Sequence, residues 1–184
     1  MTHTLKSMIN LVALLIVLMI GNVAYGQSNT IKTNLANLAL SGGSIHYEKA
    51  LNESSAAQLG LFISAVSIDD TKFSGFGVIP QYRYYTSDRE VQSGFYLAPL
   101  VGYQTFSLEA TTPGNNSEAK FTLIGAGLDI GNKWLMGSFA VELSAGVSIN
   151  STSLDITTGI EDDFSIGGFG STTPRVGVSF GYAF

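Results

Sequence analysis

Side chains alternate between the two faces of a strand, and in this chain one face is less apolar than the other. Six ionisable residues are predicted to lie on that less apolar face: His46, Glu48, Arg83, Asp129, Glu142 and Arg175. If those strands close into a barrel, this face lines the lumen. Charges at that depth must be paired or hydrated, because an isolated buried ion is costly. The first interpretation is therefore a polar network in the lumen that ties the strands together. The second is a narrow pore or conduit for small or apolar solutes, since lumen residues set selectivity where a pore exists.

His46 and Glu48 form the pair that could support acid-base chemistry. They are two residues apart, so a strand would present both on one face. A histidine oriented by a carboxylate can activate a serine, which would suit a lipid-acting outer-membrane hydrolase. No one serine can be selected as the nucleophile, and the chain lacks nucleotide-binding and metalloprotease motifs. We therefore expect a protein that is not an enzyme, with the hydrolase kept as an alternative.

Composition excludes several other functions. The chain has no cysteine, which excludes disulfides, thiolate nucleophiles and cysteine-ligated metals. Glu161, Asp162 and Asp163 lie in a glycine-containing segment, but they lack the spacing of a calcium-binding EF-hand loop. The formal net charge is −5 and no block of Lys or Arg is present, which argues against nucleic-acid binding. We expect no metal and no cofactor.

The first 26 residues have the features of a secretory signal peptide. Lys6 precedes an apolar run from Met8 to Ile20, which is shorter than the roughly 20 residues of a membrane-spanning helix. Ala24 and Gly26 supply the small residues of a cleavage site. We expect export and cleavage after Gly26, with a retained membrane anchor as the alternative, and a single barrel domain over residues 27–184.

The rest of the chain alternates with a period of two, which indicates strands rather than helices. In Ser138–Asn150 the apolar residues from Phe139 to Ile149 occupy one face and the smaller or polar residues the other. Turn-forming Gly, Asn, Asp and Ser clusters separate the alternating segments. The predicted strands are Thr30–Leu40, Ser44–Leu51, Ala56–Ile68, Phe73–Thr86, Gly94–Glu109, Ala119–Gly131, Ser138–Asn150 and Thr172–Phe184.

Eight such strands predict an all-β fold, namely an antiparallel up-and-down transmembrane β-barrel. The connections alternate between compact and long, as in membrane barrels with short turns on one side. The compact turns are predicted at Asn52–Ser55, Ser87–Ser93 and Asn132–Gly137, and the opposite loops at Ser41–Gly43, Asp69–Lys72, Ala110–Glu118 and Ser151–Ser171.

Alternation alone also fits a soluble periplasmic barrel or sandwich, in which the apolar faces form the interior. Aromatic residues favour the membrane barrel. A register that sets Tyr84 against Phe95 and Tyr82 against Leu97 collects aromatics near one rim, as expected for an interfacial girdle of Tyr82, Tyr84 and Phe95. Small residues would then fill a narrow lumen: Gly60, Gly75, Gly77, Gly102, Gly125, Gly127, Gly146, Gly177 and Gly181.

Three stretches resemble the Gram-negative outer-membrane β-barrel families, which are broadly similar to the OmpA, OmpX and OmpW types: Gly77–Tyr85, Gly94–Tyr103 and Thr173–Phe184. More narrowly, they resemble a family of small barrels described as a domain of unknown function. The resemblance implies that Tyr182 and Phe184, on the last strand, form the signal read by the barrel-assembly machinery. It implies an outer-membrane location and assigns no activity.

These observations predict a small, monomeric outer-membrane barrel with a structural or surface role. Its expected surroundings are outer-membrane lipids and lipopolysaccharide, and its expected partners are periplasmic chaperones and the assembly machinery. The alternatives are the narrow pore, the lipid-acting hydrolase and the soluble periplasmic barrel or sandwich.

Overall fold

The computed structural model describes residues 28–39, 42–68, 71–86, 92–112, 115–158 and 172–184. The predicted signal peptide and its cleavage site at Gly26 lie outside these residues, as does the acidic group Glu161–Asp163. Within the described ranges, no helix has the length and hydropathy needed to cross a bilayer.

Eight antiparallel strands close into one up-and-down barrel, which confirms the predicted strand number and topology. Each strand pairs with its neighbours in sequence, and the last strand pairs with the first. The strands are β1 Asn29–Asn34, β2 Gly42–Ala50, β3 Ser55–Ile68, β4 Thr71–Tyr85, β5 Gly94–Thr112, β6 Asn115–Met136, β7 Phe139–Thr158 and β8 Thr172–Ala183. We call the end of the barrel that contains Asn29 and Ala183 the terminal mouth, and the opposite end the far mouth.

The first strand is shorter than predicted. It ends at Asn34 instead of Leu40, and the chain turns into a short helix, α1 (Leu35–Ala39). The Asn34 carboxamide oxygen accepts the N–H of Ala36 at 3.0 Å, so this side chain satisfies a backbone donor at the helix start. The helix explains why the sequence alternates poorly after Thr33.

The central strands are longer than predicted, so several predicted loops are wrong. β5 and β6 continue through most of Ala110–Glu118, and β7 runs to Thr158 within the predicted loop Ser151–Ser171. The predicted turn Asn132–Gly137 is also wrong, because β6 continues to Met136 and only two residues separate it from β7. Gly137 has a φ of +61°, a left-handed conformation that suits glycine in so tight a turn.

The predicted register between β4 and β5 is displaced by two residues. Tyr84 faces Leu97 rather than Phe95, so the predicted pairing of Tyr82 with Leu97 is also displaced. An even displacement leaves every side chain on its predicted face, since successive side chains alternate. Pairing is interrupted near Pro80, which has no N–H to donate to the ladder.

The apolar faces of the strands point outward. Val176, Ile149 and Ile63 are 73%, 66% and 65% exposed, whereas Glu48 and Lys133 inside the barrel are fully buried. A sandwich core would bury these aliphatic residues, so the sandwich alternative is wrong: one sheet closes on itself, with polar and small residues inside.

Candidate functional site in the barrel lumen

Five charged side chains meet inside the barrel near the terminal mouth, and we call them the ionic cluster: Lys32, Glu48, Arg83, Lys133 and Glu142. They come from β1, β2, β4, β6 and β7. Each occupies an inward position of its strand, so alternation alone directs all five side chains into the lumen. Closure of the barrel then brings residues up to 110 positions apart within hydrogen-bond distance.

Glu48 lies at the centre of the ionic cluster. Its Oε2 accepts hydrogen bonds from Lys32 Nζ at 2.6 Å and from Arg83 Nη1 at 3.2 Å. Its Oε1 accepts from Lys133 Nζ at 2.9 Å and from the Tyr85 hydroxyl at 2.5 Å. Four donors therefore compensate the loss of water around this fully buried carboxylate.

Glu142 is the second carboxylate and shares two of the same cations. Arg83 donates from Nη1 to Oε2 at 2.6 Å and from Nη2 to Oε1 at 3.1 Å, a bidentate pair with the geometry that guanidinium and carboxylate groups favour. Lys32 Nζ donates to Oε2 at 2.5 Å and the Tyr96 hydroxyl to Oε1 at 3.0 Å.

The ionic cluster holds three cations and two carboxylates, so one positive charge is left without a carboxylate of its own. Aromatic rings lie against two of the cations. The Arg83 guanidinium carbon is 4.4 Å from the centre of the Tyr96 ring, and Lys133 Nζ is 5.4 Å from the centre of the Tyr85 ring. Both distances are within the range of cation–π attraction, which offsets part of the excess charge.

Gln92 closes the lumen on the side of the terminal mouth. Its Oε1 accepts hydrogen bonds from Thr30 Oγ1 at 3.1 Å and from Lys133 Nζ at 3.2 Å, and its Nε2 donates to the Ser28 carbonyl at 2.6 Å. The residue is buried at a φ of 61°, a left-handed conformation that is uncommon for a residue with a side chain. These contacts hold Gln92 against the start of β1 and against β6.

A second polar layer lies on the far side of the ionic cluster. Arg175 Nε donates to Asp129 Oδ1 at 2.9 Å, and Gln81 Nε2 donates to Asp129 Oδ2 at 2.9 Å. Gln58 Nε2 in turn donates to Gln81 Oε1 at 2.9 Å. Arg83 also donates to Gln81 Oε1, so this layer and the ionic cluster form one continuous network.

His46 lies in the lumen but takes no part in this network. Neither ring nitrogen has a hydrogen-bond partner among the described residues, although both are buried. The ring packs over Gly60, where a Cβ atom would lie only 2.8 Å from Nδ1. Glu48 is occupied by four other donors, so the His46–Glu48 dyad expected from their spacing does not form as a contact.

The structure thus places all six predicted lumen residues inside the barrel, but in three environments. Glu48, Arg83 and Glu142 meet in the ionic cluster, Asp129 pairs with Arg175, and His46 stands apart. Sequence reasoning missed four of the principal contributors: Lys32, Lys133, Tyr85 and Tyr96. Lys133 falls in the predicted turn Asn132–Gly137, although the alternation that continues from Asp129 through Gly131 places it on the lumen face.

The predicted outward aromatics also have defined positions. Tyr82, Tyr84 and Phe95 are each about half exposed on the outer surface of β4 and β5, near the terminal mouth. The rings of Tyr182 and Phe184 stack on the outer surface with their centres 6.3 Å apart. The roles of these residues in a girdle and in assembly remain predictions.

A known protein family matches most of this chain. The family described as Protein of unknown function (DUF3575) matches residues 11–162. The chain belongs to this family. The match spans strands β1 to β7 and ends before β8. Among curated proteins, none matches the chain at a significant level.

Polar side chains cross the lumen of this DUF3575 protein. The ionic cluster, Gln92 and the Asp129 layer cross the lumen from wall to wall, and their donors are directed at one another. Across the residues that the structure describes, no group of three or more His, Cys, Asp or Glu side chains could hold a metal ion.

Proposed function

We propose that this DUF3575 protein is a small integral outer-membrane barrel with a structural or surface role, whose lumen is closed by the ionic cluster. One observation carries the proposal: the described strands present large apolar side chains outward and charged side chains inward. In water, such an apolar surface would be strongly unfavourable, whereas a bilayer would solvate it. The inward charges are the ones that lipid could not accommodate.

Several features support this location. Closure leaves every strand with a neighbour on both sides along part of its length, as a membrane requires of β-structure. The stacked pair Tyr182–Phe184 and the outward rings of Tyr82, Tyr84 and Phe95 share the end of the barrel near the terminal mouth. Aromatic residues at such a rim are typical of membrane interfaces.

The contacts favour a closed barrel over the alternative functions. A narrow pore needs a continuous water path, but two carboxylates and three cations bridge the lumen at separations of 2.5 to 3.2 Å. A lipid-acting hydrolase needs a histidine oriented by an acid, and His46 has no such partner among the described residues.

The location is tested by carbonate washing of the membranes, followed by electrophoresis with and without boiling. We expect the full chain to stay with the outer membrane and to migrate faster before boiling, because a closed barrel resists detergent until heated. Recovery in the periplasmic fraction with no such shift would overturn the proposal.

A matched pair of variants sharpens this test. Leu143 is half exposed on the outer surface of β7. Leu143→Arg would place a charge in the lipid, at a cost of about 2–4 kcal/mol near the bilayer midplane, and should reduce the inserted fraction. Leu143→Ala should insert normally. Planar-bilayer recordings of the unaltered chain should show no conductance steps.

A further inference from the structure

Lys133 and Gln92 bring an amine and a carboxamide together at the terminal mouth. Lys133 Nζ lies 3.2 Å from Gln92 Oε1, and both residues are buried, with 0% and 1% of their surfaces exposed. The two residues come from β6 and from the segment before β5, 41 positions apart in the chain. This contact has a chemistry beyond hydrogen bonding, because a lysine amine is a nucleophile and the carbon of a carboxamide is an electrophile.

The charges around Lys133 favour the neutral amine, which is the form that can attack. The other two cations of the ionic cluster, Lys32 and Arg83, already balance its two carboxylates. A protonated Lys133 therefore carries the excess positive charge. Loss of one proton from Nζ leaves two cations and two carboxylates, and burial disfavours a charge that is not compensated. The excess charge of the ionic cluster thus favours a nucleophile at Lys133.

Glu48 is placed to move a proton during the attack. Its Oε1 accepts a hydrogen bond from Lys133 Nζ at 2.9 Å. A carboxylate at that distance can act as a general base toward the attacking nitrogen and then as a general acid toward the departing one. Lys32 lacks the electrophile, because its hydrogen bonds among the described residues go to carboxylates alone. The combination of amine, carboxamide and base therefore belongs to Lys133.

Two further contacts hold and polarise the Gln92 carboxamide. Thr30 Oγ1 donates a hydrogen bond to Oε1 at 3.1 Å, and this oxygen gains negative charge when the carbon is attacked. Gln92 Nε2 donates to the Ser28 carbonyl at 2.6 Å, so the departing nitrogen points toward the chain that precedes β1 at the terminal mouth. Groups positioned in this way react far faster than the same groups free in solution.

We propose that Lys133 and Gln92 form an isopeptide bond after the barrel closes, a covalent modification that goes beyond the structural function proposed above. Lys133 Nζ attacks the carboxamide carbon, and the carbonyl electron pair moves onto Oε1. Glu48 takes a proton from Nζ and delivers it to Nε2. The bond from the carbon to Nε2 then breaks and ammonia leaves. An amine and a primary amide thus become a secondary amide and ammonia, with no oxidant, reductant or cofactor.

The bond closes a covalent loop between β6 and the segment before β5. The chain has no cysteine, so no disulfide can restrict the unfolded chain in this way. The reaction requires the closed barrel, because closure brings Lys133 and Gln92 together with Glu48 and Thr30. Freshly refolded chain therefore begins with separate side chains, and its unfolding reports only their noncovalent contacts.

The bond is detected by mass spectrometry of the full chain, purified from the cells that express it and digested after denaturation. We expect a linked pair of peptides that contain Lys133 and Gln92, lighter than the two separate peptides together by the mass of one ammonia. Full chain refolded from urea should begin without the linked pair and gain it with time. The rate should not depend on chain concentration, because both reacting groups belong to one molecule.

Matched variants test the role of each group. Glu48→Gln keeps the shape of the side chain but removes the base, and should block the bond. Glu142→Gln removes the other carboxylate, whose described partners do not include Lys133, and should leave the bond in place. Thr30→Val should slow bond formation about 100-fold, as loss of one oxyanion donor does, whereas Thr30→Ser should nearly keep the rate. Lys133→Arg keeps the charge and should abolish the bond.

Each variant is first checked for the boiling-dependent mobility shift, and three outcomes would overturn the proposal. The first is separate Lys133 and Gln92 peptides alone, both in purified and in aged refolded chain, which would leave a hydrogen bond between them. The second is an equal rate in Glu48→Gln and Glu142→Gln. The third is an equal rate in Thr30→Val and Thr30→Ser, which decides the matter if Glu48→Gln does not fold. Failure of the membrane test would leave these results unaffected, because the bond is a property of the folded chain in any surroundings.

Discussion

The two halves of the lumen are lined by side chains of opposite character. Toward the terminal mouth, inward positions carry long charged or aromatic side chains that reach across the barrel and bond to one another. Toward the far mouth, glycines replace several of them, and a Cβ atom at Gly102 would fit in ordinary van der Waals contact, with its nearest neighbours at 3.8 Å. Because barrel diameter is set by strand number and stagger, side-chain size alone decides which half is filled. Four predictions test this contrast, from the largest expected effect to the smallest.

Removing a carboxylate from the ionic cluster should have the largest effect. Glu48→Ala leaves Lys32, Arg83 and Lys133 buried with only one carboxylate, and breaking a buried ion network in this way costs about 3–5 kcal/mol. Urea unfolding in detergent, followed by the fluorescence of Trp134, gives the free energy of unfolding.

The control for that variant lies in the other half. Asn150→Ala removes hydrogen bonds to Ser148 and Thr173 without stranding a charge, and should cost about 1 kcal/mol. Equal losses in Glu48→Ala and Asn150→Ala would contradict the contrast between the two halves.

Two glycines should respond oppositely to a methyl group. At Gly146 a Cβ would lie 2.2 Å from Asp129 Oδ1 and 2.3 Å from the Leu128 carbonyl oxygen, and a backbone atom cannot easily move. Gly146→Ala should therefore destabilise the barrel by about 1–3 kcal/mol. Gly102→Ala should be neutral or stabilise it by up to about 1 kcal/mol, because alanine restricts the unfolded chain.

These two variants are compared in the same urea series. A loss of stability in Gly102→Ala as large as that in Gly146→Ala would mean that no room exists beside Gly102.

The seal at the terminal mouth should contribute less. Gln92→Ala removes the hydrogen bonds to Ser28, Thr30 and Lys133 and keeps a side chain at a positive φ, so we expect a loss of about 1–2 kcal/mol. Gln92→Gly loses the same bonds but relieves the backbone strain, and should be less destabilising than Gln92→Ala. The reverse order of stabilities would show that the left-handed backbone contributes no strain.

The pair between Asp129 and Arg175 should contribute least. The Arg175 side chain is 24% exposed, and partly hydrated pairs are worth about 1 kcal/mol or less. A double-mutant cycle with Asp129→Asn and Arg175→Gln measures the coupling, and it should fall in higher salt. A coupling free energy as large as the loss of stability in Glu48→Ala would mean that the Asp129–Arg175 pair is energetically part of the ionic cluster.

Much of the fold could be predicted because strand faces follow from local alternation. Ser138–Asn150 identified a strand and both of its faces, and even the two-residue error between β4 and β5 left the faces intact. Strand ends were less predictable. β6 passes through Asn132, a typical turn residue, because pairing with β5 and β7 outweighs its local preference.

The candidate site was predictable in part for the same reason. The alternation along each strand is enough to place Glu48, Arg83 and Glu142 in the lumen. Predicting which residues they contact requires knowing how the barrel closes. Lys32 lies in the weakly alternating first strand, and Gln92 lies within the predicted turn Ser87–Ser93. Nothing in the spacing of these residues indicates that each would reach a side chain from a distant strand.

The sequence by itself determined which side chains share a face, because alternation is a property of each strand alone. It thereby determined an apolar outer surface and a lumen of charged and small residues. Only the tertiary structure decided which lumen charges meet, which lumen glycine has room for a methyl group and why His46 has no hydrogen-bond partner among the described residues. Those outcomes depend on the stagger at which the strands pair around the closed barrel, and stagger is set by all eight strands together.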